Sequence, residues 1–74
     1  MDKVQRMFFD ILTAIASDDK MFLRLFKETF KITEICSILK INRNRYNYLV
    51  RSCQLDKMIL DFKEKYEEEN VSWL

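Results

Sequence analysis

The stretch Lys31–Val50, KITEICSILKINRNRYNYLV, decides how the rest of the chain is read. Apolar residues recur at three- and four-residue steps up to Leu39 and again after Asn42, the pattern of two short helices separated by a turn. The first is expected over roughly Ile32 to Leu39. Its start is weakly marked, because Lys31 is not a capping residue, although Thr29 is close. Asn42 is a good N-cap for the second, about Arg43 to Ser52. Two such helices crossing at a wide angle need a small residue at their closest approach, and Cys36 stands there. Ile32, Ile35 and Leu39 before the turn, and Ile41 within it, are expected to fill the wedge. Tyr46, Leu49, Val50 and Cys53 would face it from the second helix. Lys40 occupies the turn position just before Ile41, where a left-handed backbone carries some strain in any residue but glycine.

Working outward, the N-terminal side predicts two more helices. Asp2 can cap a helix to about Ala16, with Gln5 three residues on as in a capping box. Val4, Met7, Phe8, Ile11, Leu12 and Ile15 form one apolar stripe along it, which is expected to face the core. Ser17-Asp18-Asp19 breaks the pattern and offers caps for a second helix carrying Met21, Phe22, Leu25 and Phe26 and ending near Phe30. Phe9 and Leu23 lie off these stripes. On the C-terminal side, a fifth helix is expected from about Asp56 to Glu69, with Leu55, Met58, Ile59, Phe62 and Tyr66 as its stripe. The tail from Asn70 to Leu74 reads as frayed unless Trp73 docks. The chain is thus expected to be one all-α domain of about five short helices. Residues 1–30 supply the N-terminal pair, 31–52 the central motif and 55–69 the C-terminal amphipathic helix.

Composition agrees. The 74 residues include no glycine and no proline, so tight β-hairpins are disfavoured, and an apolar share of 49% beside 34% charged residues argues against disorder. A core this small is marginal, which makes a homodimer an expectation. The stripe of the fifth helix, Met58, Ile59, Phe62 and Tyr66, is the expected dimer surface, with the first helix as competitor. There is no histidine, and Cys36 and Cys53 are the only cysteines, too few for a four-ligand zinc site within one chain. Both fall where a helix would bury them and read as reduced packing residues. No signal peptide and no apolar run long enough for a bilayer is recognisable, so a cytoplasmic protein without membrane contact is expected.

Charge is uneven along the chain although the net value is only +1. Met1–Glu34 carries six basic and six acidic residues, Ile35–Leu55 four basic and no acidic, and Asp56–Leu74 three basic and six acidic. The acid-free stretch coincides with the second helix of the motif, whose outward face would hold Arg43, Asn44, Asn47, Tyr48 and Arg51. Arginine offers a fork to guanine, asparagine can pair with the adenine edge, and tyrosine can bond phosphate or pack on a thymine methyl. Lys40, Arg45 and Arg51 would lie where phosphate contact is expected. The plain alternative is a solvated polar helix face.

On these residues the segment resembles the helix-turn-helix superfamily of DNA-binding proteins. LKINRNRYNYLV is especially similar to the branch found in phages and mobile elements, including the DNA-binding segment of phage terminase small subunits. Tyr46 is bulkier than that pattern's usual aliphatic residue. The resemblance implies sequence-specific binding of double-stranded DNA, as a small transcriptional regulator working at the nucleoid. It leaves open a DNA-recognition subunit of a packaging machine. A helical interaction module that inhibits a host protein is the alternative from another class, suggested by the near-neutral charge and the aromatic-rich N-terminal half. Catalysis is not expected: no histidine can act as base, no glycine-rich loop can hold a nucleotide, and neither cysteine has an adjacent base. No cofactor or metal is expected either.

Overall fold

The computed structural model describes residues 1–71, which form five helices: α1 (Lys3–Ile15), α2 (Asp19–Thr29), α3 (Ile32–Leu39), α4 (Arg43–Arg51) and α5 (Leu55–Val71). No strand occurs among the described residues, so the fold class is all-α. Ser72, Trp73 and Leu74 lie outside the described residues, so the expected docking or fraying of Trp73 does too.

Helix starts follow local chemistry. Asp2 Oδ1 accepts the Gln5 N–H at 2.7 Å, and the Gln5 side chain accepts the Asp2 N–H at 3.2 Å, the reciprocal capping box. Asp18 caps α2 through the Met21 N–H, and Asn42 caps α4 through the Arg45 N–H at 2.7 Å. The weakly marked start of α3 is held from the other direction, by Glu34 Oε1 accepting the Lys31 N–H at 3.0 Å.

Helix ends follow a different rule. Lys40 and Cys53 both have positive φ, 58° and 59°. After α3, the Ile41 N–H reaches back to the Cys36 carbonyl and the Lys40 N–H to Ser37. After α4, the Gln54 N–H reaches Leu49 and the Cys53 N–H reaches Val50. These are two Schellman closures with a non-glycine residue at the left-handed position of each. In a chain without glycine, something else has to take that conformation.

Ten buried residues make one core: Phe9 and Leu12 from α1, Phe22 and Phe26 from α2, Phe30, Ile35 and Ile38 around α3, Leu49 from α4, and Leu55 and Ile59 from α5. Phe9 is its hub. Its ring centroid lies 5.5 Å from Phe22, 6.2 Å from Phe26, 5.5 Å from Phe62 and 4.7 Å from Tyr66, edge-on to all four. Edge-to-face pairs of this kind contribute about 0.5–1.5 kcal/mol each beyond area burial.

This core corrects several expectations. The face that α1 turns inward is Gln5, Phe9 and Leu12, with Ala16 partly buried beyond its end. Of the expected stripe only Leu12 is buried, while Val4, Met7, Phe8, Ile11 and Ile15 are 43–57% exposed. The helix carries two adjacent apolar faces, and the one with Phe9 wins because only it meets the phenylalanines of α2. The α5 stripe is also corrected. Ile59 is fully buried, and Met58, Phe62 and Tyr66 pack against the core, so these residues are used within the chain and are not a free dimer surface. In the central motif Ile35 is buried as expected, but Ile38 is buried as well and Ile32 is exposed. Cys53 and Val50 are exposed too. Cys53 follows the last turn of α4 and has left the helical path, so the helical spacing that put it inward no longer applies.

Candidate nucleic-acid interface

α3 and α4 are joined by three residues, Lys40, Ile41 and Asn42. Lys40 turns the chain through its left-handed conformation, and Ile41 packs against the core from the turn. Asn42 then opens α4. Cys36 is buried on α3. The motif helices are therefore fixed at both ends, α3 by Glu34 and the Lys40 closure, α4 by Asn42 and the Cys53 closure.

α4 touches the core along a narrow strip. Leu49 is its buried residue, and Tyr46 packs against the core half-buried. Everything else faces outward: Arg43, Asn44, Arg45, Asn47, Tyr48, Val50 and Arg51 are exposed. The residues expected to meet bases, Arg43, Asn44, Asn47 and Tyr48, thus share one solvent-facing arc with Arg51. The Arg45 guanidinium lies 5.8 Å from the Tyr48 ring centroid, a cation–π contact that steadies both side chains. Asn44, Asn47, Val50 and Arg51 line a shallow depression on this arc. Val50 was missed as an outward residue, because β-branched apolar residues read as core. Its place beside Arg43 and Asn47 on the helical wheel was the available signal.

Lys40 is brought together with charges that sequence order keeps apart. It lines a cleft with Arg6 of α1 and with Lys65 and Glu69 of α5, over a floor that includes Ile38, Leu39, Phe62 and Tyr66. Nothing in the spacing of Arg6 and Lys65 pointed to this grouping.

The electrostatics of α4 run against helix stability. The first turn contains Arg43 and Arg45 and no acid. A cation near a helix N-terminus opposes the macrodipole, by about 0.3–1 kcal/mol at the surface. α2 shows the stabilising arrangement, with Asp19 in its first turn and Lys27 in its last. The ion pairs found among the described residues, Lys27–Asp56, Lys63–Asp19 and Lys63–Glu67, lie on α2 and α5 and involve none of the α4 arginines. No helix of the described residues is long and apolar enough to cross a membrane.

No protein-family model, curated protein or solved structure matches the chain.

Proposed function

We propose that the chain binds double-stranded DNA by laying α4 in the major groove. The observation that carries this reading is the outward arc of α4, where two arginines occupy a first turn that the helix dipole disfavours for cations and no acid is near them in sequence. A phosphate-bearing partner turns both features to advantage, since its charge is attracted by the arginines and by the N–H groups at the helix start alike. In this reading Arg43, Asn44, Asn47 and Tyr48 meet base edges. Lys40, Arg45 and Arg51 hold phosphates. Val50 joins the base-reading group as an apolar contact for a thymine methyl. The finer role, a small regulator of a phage or mobile element, rests on the resemblance of LKINRNRYNYLV to that branch of the helix-turn-helix superfamily.

Alanine substitution tests the assignment. Arg43→Ala or Asn47→Ala should weaken binding to a selected site by about 1–3 kcal/mol and relax selectivity, with little change in melting temperature. Neutralising Lys40, Arg45 or Arg51 should weaken binding to all duplexes and lower the salt slope by about one unit. Unchanged affinity in all five variants would refute the interface.

A further inference from the structure

α1 carries a second apolar face, turned to solvent. Val4, Met7, Phe8, Ile11 and Ile15 point away from the core. They recur in a seven-residue pattern: Val4 and Ile11 in one column, Met7 and Ala14 in the next, and Phe8 and Ile15 in a third. That is the broad stripe of a helix packed against another helix. The buried residues of α1, Gln5, Phe9 and Leu12, lie on the neighbouring face, so this stripe lies outside the core of the single chain and about half of its surface faces solvent.

We propose that this face binds the same face of a second copy, with the two α1 helices antiparallel about a two-fold axis. Two observations select that occupant. The first is area. An aromatic side chain covers on the order of 150–250 Å² and an aliphatic one somewhat less, so five of them about half exposed leave on the order of 450 Å² per chain. Joining two such faces covers on the order of 900 Å², close to the lower bound for a specific protein interface. A single-chain patch of that size is at the upper end of what monomers leave in water. The second is charge. Lys3 and Asp10 lie seven residues apart on one edge of the stripe, and both are exposed. In an antiparallel pair each edge meets itself reversed. A register centred between Met7 and Phe8 sets Val4 opposite Ile11 and brings Lys3 of each copy within reach of Asp10 of the other. Asp10 already accepts the Tyr66 hydroxyl through Oδ1, and a carboxylate has lone pairs for a second donor. A parallel pair would instead set this charged edge against the apolar column of Phe8 and Ile15. The inference does not depend on the DNA reading and is tested without DNA.

Sedimentation equilibrium of the full chain, from micromolar to millimolar, is the experiment. The wild type should dimerise within that range. Ile11→Glu should be monomeric throughout, with unchanged helical circular dichroism and melting behaviour, because Ile11 is outside the core. Lys3→Glu should weaken the dimer about tenfold through two new repulsions, and Lys3→Glu combined with Asp10→Lys should restore most of the loss. A wild type that stays monomeric at every concentration overturns the proposal, whether or not it captures another protein or a lipid vesicle. So does an Ile11→Glu protein that dimerises normally. Failure of the double variant to regain affinity over Lys3→Glu overturns the antiparallel arrangement.

Discussion

The Tyr66 hydroxyl donates to the Asp10 carboxylate at 2.6 Å, joining α5 to α1 across 56 positions of sequence. Burial and this hydrogen bond both hold the Tyr66 phenol above its ordinary pKa, with Arg6 acting in the opposite direction. A phenol whose pKa is raised by folding keeps its proton more firmly in the folded chain. The stability linked to it is complete below the ordinary tyrosine value, about 10, and is lost as pH rises past that point. Tyr66 should titrate above the ordinary tyrosine range in an ultraviolet titration. Tyr66→Phe should remove that late step and flatten the alkaline loss of stability. An unchanged titration curve, apart from one fewer phenol, would refute the assignment.

Phe8 and Phe9 are neighbours with opposite roles. Phe9 is fully buried among four aromatic rings, and Phe8 is 43% exposed. Phe9→Ala should cost about 3–5 kcal/mol, enough to unfold much of so small a domain. Phe8→Ser should stay within about 0.5 kcal/mol when dilute protein is unfolded by urea. Equal losses at the two positions would mean that α1 is rotated from the orientation described.

Lys40 and Cys53 take left-handed conformations that cost a side-chain-bearing residue about 1–2 kcal/mol. Glycine removes that cost and returns part of it as entropy of the unfolded chain. Lys40→Gly and Cys53→Gly should therefore each stabilise by about 0.5–1 kcal/mol, a rise of several degrees in melting temperature for a domain of this size. Lys40→Gly should at the same time weaken DNA binding, separating the residue's conformational role from its charge. Destabilisation by both substitutions would contradict the two helix closures.

Cys36 lies buried on α3 close to the turn. Cys36→Ala should be tolerated, because it fits the same space. Cys36→Phe should overpack the motif and cost about 1–3 kcal/mol, measured by chemical unfolding. A fully stable Cys36→Phe protein would show that α4 does not pack over this residue.

The helices were legible where end signals and periodicity agreed. Asp2 with Gln5, Asp18, and Asn42 name three starts, and α3 falls on the expected Ile32–Leu39. The orientation of α1 was not legible. Two adjacent faces of that helix are apolar, and periodicity favours the longer one. Choosing the other requires knowing that Phe9 meets Phe22 and Phe26, a tertiary fact. The α5 stripe failed in the converse way, since its length suggested a surplus that the phenylalanine cluster uses. In the candidate site, the acid-free stretch located the exposed arc of α4. The exposure of Val50 and the grouping of Lys40 with Arg6 and Lys65 depend on how three helices meet, which no local spacing encodes.

Whether α4 reads duplex DNA is decided by selection from a pool of random duplexes at two salt concentrations. The protein should enrich a short common sequence. Affinity for that sequence should fall with salt at a slope of about −3, as expected for three phosphate contacts by Lys40, Arg45 and Arg51. The enrichment should disappear with Arg43→Ala or Asn47→Ala. A protein that enriches no sequence, and whose association with DNA is absent at low as well as moderate salt, would contradict DNA reading by α4.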